Sequence, residues 1–183
     1  SLEDPVFDAQ VNILDTVRLF AAAAAAGAKR IVFASSAAVY GDPEEIPTPE
    51  ESPLSPLSPY GIGKLAGEGY LAFFARRHGI CGVALRFANV YGPRQESVGE
   101  AGVVAVFSQR LLAGEPVTIH GDGRQTRDFI YVEDVARACH LALAGPPGVY
   151  NVATGVETDV RRLYARLAAV LRPGSEPLHG PAV

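Results

Sequence analysis

The chain contains only two cysteines, Cys81 and Cys139, and it has no methionine and no tryptophan among its 183 residues. Two cysteines cannot form a disulfide framework, and their spacing matches no zinc site. We expect both to be buried small apolar residues. Because no disulfide scaffold is indicated, we expect a reducing compartment, the cytoplasm.

The sequence also lacks an excess of positive charge and a long apolar run. Its formal net charge is −4, so no basic stripe is available for phosphates and we expect no nucleic-acid partner. The longest apolar run, residues 19–28, is broken by Gly27 and is shorter than the ~18–20 residues that span a bilayer. No charged segment typical of a signal peptide precedes it, and we expect no membrane partner. The histidines have no metal-ligand spacing, which predicts no metal site: His78, His120, His140 and His179.

The composition is that of a folded protein, with 48% hydrophobic and 20% charged residues. Helical patterns alternate with short apolar runs, which indicates parallel strands joined by crossover helices. We predict an α/β fold with a doubly wound parallel sheet and a smaller mixed α/β lobe. Residues 1–92 are assigned to the sheet domain and residues 93–183 mostly to the lobe, with some segments returning to the main sheet.

Start and stop signals give the predicted elements. Ser58 and Pro59 begin a helix that Gly79 ends, and the many prolines in residues 41–59 predict an irregular loop. Residues 121–123 are predicted to form a hairpin-type turn. The predicted helices cover residues 5–26, 59–78, 103–113, 132–143 and 158–171, and the predicted strands cover residues 31–34, 83–87, 116–119, 128–130 and 149–152.

The most informative pattern joins a serine at the end of a strand to a tyrosine and a lysine in the next helix. Tyr60 and Lys64 are four residues apart and share a helix face. An ammonium group beside a phenol stabilises the phenolate and lowers the pKa of the tyrosine, while the Ser36 hydroxyl can bind the same substrate oxygen. The three residues together predict a base that oxidises an alcohol at the carboxyl end of the sheet. Alone, Ser36 would be only a turn hydroxyl.

Four segments, in order along the chain, resemble one protein family. They are FASSAAVYG (33–41), SPYGIGK (58–64), LRFANVYGPR (85–94) and RDFIYVEDVA (127–136). These motifs are similar to those of the extended short-chain dehydrogenases/reductases, and within them to the NAD-dependent epimerase/dehydratase family, especially its UDP-glucose (UDP-galactose) 4-epimerases. The resemblance covers nearly the whole chain and implies a Rossmann-like, NAD-binding fold.

The resemblance also implies a role for individual residues. Tyr60 is the implied general base, Lys64 holds the nicotinamide ribose and tunes Tyr60, and Ser36 binds the sugar oxygen. Further residues are implied to contact the NAD cofactor: Asn12, Ala34, Ser35 and Ala88.

Two more positions are implied to bind the nucleotide-sugar substrate, Asn89 at the diphosphate and Arg127 at a phosphate. A guanidinium group suits the second task. The residues alone leave other roles open. Asn89 also suits a turn, and Arg127 also suits an ion pair with Asp128 or Glu133, although the substrate role is favoured for both.

The implied reaction is 4-epimerisation of a UDP-sugar through a 4-keto intermediate, with transient hydride transfer to bound NAD. Similar dehydratases carry an Asp-Glu pair directly after the serine position, and decarboxylating relatives carry a glutamate there. Here the two positions are Ala37 and Ala38, whose methyl groups cannot transfer protons. Epimerisation is therefore favoured, and a related NAD-dependent nucleotide-sugar reductase is an alternative.

The resemblance implies a homodimer that forms through the helices 6–26 and 59–78. The first of these helices contains an alanine tract, and the second contains Gly61, Gly63, Gly67 and Gly69. These glycines reduce helix propensity, and close packing of the helix against its neighbour explains them.

Parts of the family pattern have no counterpart in the chain. No glycine-rich turn to receive a pyrophosphate precedes Asn12, Asp15 stands where a glycine is usual, and the chain ends before an arginine-containing segment of the substrate pocket. We therefore expect the catalytic middle of a larger enzyme, with little activity as a 183-residue chain. The competing hypothesis is a non-enzymatic remnant that binds a partner or a nucleotide sugar without NAD.

Overall fold

A computed structural model describes residues 2–96 and 102–182 of the chain, which divides into two compact units. The first unit comprises Ser1–Ala88 and Val135–Val152, and the second comprises Asn89–Asp134 and Ala153–Val183. The first unit thus ends before the predicted division after residue 92. Residues 135–152 return to it because the strand that they contain pairs with its sheet.

The first unit is built on a parallel sheet of three strands. These are β1 (Arg30–Ser36), β2 (Cys81–Phe87) and β6 (Gly148–Val152), in the order β1-β2-β6. The central strand β2 buries four consecutive residues and so is buried on both faces, as predicted for residues 83–87. Ser36 lies opposite Phe87, and Phe87 opposite Val152, so the carboxyl ends of the three strands are level. The parallel sheet confirms the predicted α/β fold class.

The N-terminal helical segment contains one wide turn. Helix α1 (Pro5–Ala9) begins after Asp4, whose carboxylate accepts a hydrogen bond from the backbone of Phe7. It continues through a π-helical turn (Gln10–Asp15) into α2 (Thr16–Ala25). The predicted helix over residues 5–26 is therefore present, but apolar periodicity did not reveal its π-helical turn, which contains Asn12. Such turns occur frequently at functional sites.

Helix α3 (Pro59–His78) has the predicted limits. The Ser58 hydroxyl caps it by accepting a hydrogen bond of 3.1 Å from the Gly61 backbone, and Gly79 ends it with a φ of +67°. Its glycines allow close packing: a Cβ at Gly67 would lie 2.4 Å from the Phe33 ring. The apolar core at this contact contains Phe20, Phe33, Leu71, Phe74 and Ala84.

Within the described residues, the second unit contains two small sheets and the helices α4 and α6. β3 (Asn89–Tyr91) pairs in parallel with β5 (Thr126–Tyr131), and β7 (Glu157–Asp159) pairs with β5 in antiparallel fashion. Helices α4 (Val103–Ala113) and α6 (Val160–Leu171) pack around a core that includes Phe107, Ile119 and Tyr164.

One predicted feature of this unit is wrong. β4 (Thr118–His120) does not form a hairpin with β5 across residues 121–123, because it pairs in parallel with β8 (Leu178–Gly180). The sequence analysis also missed β3, β7 and β8. Each spans three residues, which is too short for a periodic signal.

The two cysteines lie on β2 and on helix α5 (Val132–Ala142), and both are free. Each is half-buried, so the expectation of full burial is wrong. Cys81 is the first residue of its strand, and α5 buries only Val135 and Ala142 among its described side chains. None of the described helices combines the length and the apolar composition needed to cross a membrane.

Candidate active site

Ser36 is the last residue of β1 and the cap of a short 3-10 helix, Ala37–Val39. Its hydroxyl accepts a hydrogen bond of 3.1 Å from the Ala38 backbone N–H. The hydroxyl thus caps the turn, as its position alone predicts, and it lies near enough to Tyr60 to lower the pKa of that side chain.

Tyr60 and Lys64 lie in the first turns of α3, which contacts the turn that Ser36 caps: a Cβ at Gly61 would lie 2.7 Å from the Ala38 carbonyl oxygen. The Lys64 Nζ is 5.4 Å from the centroid of the Tyr60 ring and 5.3 Å from that of Phe33. Ser58 and Pro59 fix where this helix begins, and that start determines where the tyrosine and the lysine lie relative to the end of β1. The structure therefore brings Ser36, Tyr60 and Lys64 together.

The electrostatics of Tyr60 differ from the sequence-based expectation. Burial raises the pKa of its hydroxyl above the ordinary value, the hydrogen bond with Ser36 lowers it, and the negative charge of Asp8 raises it again. The net direction is upward, so the expectation that Lys64 lowers the pKa of Tyr60 towards neutrality is wrong for this arrangement. The physical reason is that the desolvation of a phenolate outweighs the stabilising contacts.

Lys64 has a lowered pKa. Burial of the ammonium group lowers it, and the charge of Asp8 opposes this effect. No ion pair of Lys64 occurs among residues 2–96 and 102–182. Its side chain is thus a half-buried cation with hydrogen-bonding capacity for a ligand.

Asp8 is a site residue that the sequence analysis missed. It is 8% exposed, and its Oδ1 has no hydrogen-bond partner among the described residues. A Cβ at Gly63 would lie 3.8 Å from this oxygen and 2.8 Å from the Cβ of Asn12. Asp8 and Asn12 therefore both face α3 beside Lys64. The sequence feature that could have indicated Asp8 is its position one helical turn before Asn12.

The other residues implied to contact the cofactor all belong to the first unit. Ala34 is exposed on β1, and the half-buried Ala88 directly follows β2. Ser35 is only 2% exposed, and its hydroxyl donates to Glu68 at 2.5 Å. Asp15, which departs from the family pattern, is exposed, and its carboxylate binds Arg18 at 2.8 Å.

The two residues implied to bind substrate belong to the second unit. Asn89 is exposed at the start of β3. Arg127 is exposed on β5, and its guanidinium donates to the Thr126 carbonyl at 2.7 Å. It forms no ion pair within the described residues. Asp128 instead accepts hydrogen bonds from the backbone N–H groups of Thr154 and Gly155.

Comparison with known proteins identifies the family. A sequence model of the NAD dependent epimerase/dehydratase family matches residues 1–153. The chain belongs to this family. The matched range includes every residue that the motifs assign to the candidate site.

Individual members of the epimerase/dehydratase family are similar over nearly the whole chain. A UDP-glucose 4-epimerase of Mycolicibacterium smegmatis is 46% identical over 99% of the chain and 59% of its own length. The crystal structure of Thermotoga maritima UDP-glucose 4-epimerase with UDP-glucose matches with a TM-score of 0.96 and 43% identity, covering 99% of this chain and 60% of that one. The Thermus thermophilus UDP-glucose 4-epimerase complex with NAD gives a TM-score of 0.91 and 42% identity, covering 98% and 60%. The chain thus spans about three fifths of the length of these relatives.

Proposed function

We propose that the protein is an NAD-dependent nucleotide-sugar 4-epimerase of the UDP-glucose type, and that this chain carries its proton-transfer site. The observation that carries the proposal is the contact between the end of β1 and the start of α3. The Lys64 Nζ lies 5.4 Å from the centroid of the Tyr60 ring, and a Cβ at Gly61 would lie 2.7 Å from the carbonyl oxygen of Ala38, in the turn that Ser36 caps. Relatives at 46% and 43% identity that are UDP-glucose 4-epimerases support it.

The chain's own residues can carry the proton step. The ionised Tyr60 oxygen accepts the proton of the sugar hydroxyl at carbon 4, and it returns a proton when the hydroxyl forms again. The Ser36 hydroxyl orients the sugar oxygen and stabilises the phenolate, and the Lys64 ammonium adds a positive charge nearby. Bound NAD supplies the reversible hydride acceptor for carbon 4.

The donor set of the first unit fits this cofactor. Lys64 offers a half-buried ammonium group, Tyr60 a hydroxyl and Asn12 an amide, which are suitable partners for ribose hydroxyls. The small side chain of Ala34 is exposed on β1, which leaves room beside the strand for a planar ring. We propose that Asn12, Ala34, Ser35, Tyr60, Lys64 and Ala88 hold NAD, with Ser35 acting through its backbone because its hydroxyl binds Glu68.

For the second unit, we propose that Asn89 and Arg127 bind the nucleotide diphosphate of the UDP-sugar. Both side chains are exposed, and Asp128 does not occupy Arg127 because Asp128 binds Thr154. Epimerisation is favoured over dehydration because Ala37 and Ala38 carry only methyl groups in the turn that Ser36 caps.

The test is turnover of UDP-galactose by the intact protein. An epimerase forms UDP-glucose, and its NAD is in the same oxidation state afterwards. A reductase would consume one equivalent of reduced cofactor for each sugar, and a remnant would bind the sugar without turnover. Chromatography of the products, together with the absorbance of the reduced cofactor, distinguishes these results.

We further propose that a second copy of this chain covers the apolar side of the N-terminal helical segment and α3. Side chains from both elements line an apolar groove of about 340 Å³ there: Val6, Ala9, Gln10, Ile13, Leu14, Val17 and Tyr70. The alanines of α2 allow close approach of another helix. The two free cysteines support the cytoplasm as the location.

A further inference from the structure

A buried ion pair connects α3 to β2 close to the candidate site. Glu68, one helical turn after Lys64, binds Arg86 through two contacts, Nη2 to Oε2 at 2.8 Å and Nε to Oε1 at 2.9 Å. The two residues are 9% and 4% exposed. Removing two charges from water is costly, and a buried ion pair is weak evidence for stability by itself. The role of this ion pair is therefore inferred from the other groups that hydrogen-bond to it.

The ion pair is hydrogen-bonded to the residue that precedes Ser36 in β1. Ser35, the preceding residue of β1, donates its hydroxyl hydrogen to Glu68 Oε1 at 2.5 Å. Adjacent strand residues point to opposite faces, so this bond fixes Ser35 against α3 and fixes the orientation of Ser36 with it. Glu68 and Tyr60 lie on the same helix, and the contact therefore joins β1, which carries Ser36, to the helix that carries Tyr60.

The pair also holds the loop between the two site residues. Arg86 Nη1 donates to the Tyr40 hydroxyl at 2.8 Å and to the Glu50 carbonyl oxygen at 2.9 Å. The guanidinium group lies 4.8 Å from the centroid of the Tyr40 ring. Residues 40–58 form no helix or strand. Side-chain hydrogen bonds, rather than regular backbone hydrogen bonds, therefore fix the conformation of the loop that leads to Ser58 and α3.

Asn151, in β6, completes the network. Its Oδ1 accepts from the Tyr40 hydroxyl at 2.7 Å, its amide group donates to the Thr48 carbonyl at 2.8 Å, and its backbone N–H donates to the Glu50 carboxylate at 2.9 Å. The loop is thereby attached to β2 through Arg86 and to β6 through Asn151. Networks whose polar groups are satisfied in this way make a buried arrangement rigid.

We propose that Glu68, Arg86 and Tyr40 are positioning residues that fix the distance between Ser36 and Tyr60 for proton transfer. This inference rests on the proposed function, which assigns the proton step to those two side chains. The requirement for accuracy is physical, because a misplacement of about 1 Å can reduce a rate by about a hundredfold. In a purely structural role, the network would affect only stability.

The test replaces the ion pair without leaving an unpaired charge. The double variant Glu68→Met, Arg86→Met exchanges both ions for apolar side chains, which is often neutral or stabilising for a protein. In the intact protein we expect a stable fold, a kcat lowered by about ten- to a hundredfold and an unchanged KM, because the proposed nucleotide contacts are untouched. The matched control is Val83→Ala on the same strand, 1% exposed, which loses stability and keeps its kcat.

A second readout does not need turnover. The Ser36 hydrogen bond lowers the pKa of Tyr60, while Asp8 raises it. Burial is the largest cause of the raised pKa of Tyr60, and the apolar replacements keep the site buried. Weakening of the Ser36 contact is therefore expected to make the Tyr60 hydroxyl titrate at higher pH in the double variant. NMR of ¹³C-labelled tyrosine, with Tyr60→Phe to assign the signal, measures this shift without substrate.

The outcomes separate the two proposals. Lowered kcat with a raised Tyr60 titration supports the positioning role, whereas wild-type kcat or an unmoved titration in a folded double variant overturns it. If the wild-type protein does not turn over UDP-galactose, the proposed function fails, and the titration alone still decides whether the network holds Ser36 against Tyr60. If the double variant does not fold, Tyr40→Phe replaces it, with the same expected shifts and the same contradicting result.

Discussion

At the scale of residues, the candidate site consists of side chains whose ionisation depends on burial as much as on neighbouring charges. Tyr60 is 37% exposed, yet burial is the largest influence on the pKa of its hydroxyl. Asp8 raises the pKa of both Tyr60 and Lys64. A base of this kind has to be assisted by Ser36 and by Lys64 to work near neutral pH.

Tyr60→Phe is expected to reduce kcat by at least about 10²-fold, because removal of a general base typically costs about 10²–10⁴-fold. The NAD content of the purified protein should remain unchanged, since the other proposed cofactor contacts are present. Steady-state kinetics and the cofactor absorbance measure the two effects. Tyr150→Phe, at a tyrosine that is also 37% exposed, is the control, and retained turnover in the Tyr60 variant would refute the assignment of the base.

Asp8→Asn is expected to move the pH profile of kcat/KM towards lower pH. Asp8 raises the pKa of Tyr60, so neutralising it lets the phenolate form at lower pH and shifts the acid limb downward. It also raises the pKa of Lys64, so the ammonium group is lost at lower pH and the alkaline limb moves in the same direction. The comparison is Asp15→Asn, at an exposed carboxylate that binds Arg18. A profile that does not move in the Asp8 variant would show that the carboxylate does not act on the site.

At the scale of elements, α3 determines the geometry of the site because it carries Tyr60, Lys64 and Glu68 and packs directly on β1. Its glycines are not equivalent. A Cβ at Gly67 would lie 2.4 Å from the Phe33 ring, whereas a Cβ at Gly69 would meet nothing within 4 Å. Close packing thus explains Gly67, as the sequence analysis expected, but it does not explain Gly69.

This difference gives a paired prediction for stability. Gly67→Ala should lower the free energy of unfolding by about 1–3 kcal/mol, because the added methyl group overpacks the contact with Phe33. Gly69→Ala should raise it by up to about 1 kcal/mol, because alanine has the higher helix propensity and has room at this position. Urea unfolding of both variants measures the difference. Changes of equal sign would mean that the Phe33 contact does not control the packing of the helix.

At the scale of the whole molecule, the N-terminal helical segment of the first unit carries several large apolar side chains that are exposed in this chain. Leu14 lines its groove and is 43% exposed, and the neighbouring Val6 and Phe7 are 78% and 65% exposed. Contiguous apolar patches of this kind mark interaction sites.

Leu14→Glu is therefore expected to convert the proposed homodimer into a monomer, because it places a charge in the apolar contact. Sedimentation equilibrium of the intact protein should give half the wild-type mass. Leu112→Glu, at a leucine of α4 that is 70% exposed, should leave the dimer intact. A monomeric wild-type protein, or a dimeric Leu14 variant, would contradict the proposed interface.

The sequence by itself determined the local features of this protein. Ser58, Pro59 and Gly79 specify the limits of α3 because a side-chain cap, a fixed φ and a positive φ act within one helical turn. The spacing of Tyr60 and Lys64 specifies that they share a helix face. The mostly apolar segment at residues 83–87 predicts a buried strand, and the four ordered motifs specified the family.

Only the tertiary structure decided which distant groups meet. The pairing of β4 with β8, the burial of Asp8 beside Gly63 and the contact of Arg86 with Glu68 each join residues far apart in sequence. The sequence shows Arg86 as a charged residue within a predicted buried strand, but it does not show that Glu68 is its ion-pair partner. The net pKa direction of Tyr60 likewise depends on desolvation, which results from the packing of the whole first unit. Local rules fix elements because their interactions are short in sequence, whereas burial and long-range contacts exist only after the chain has folded.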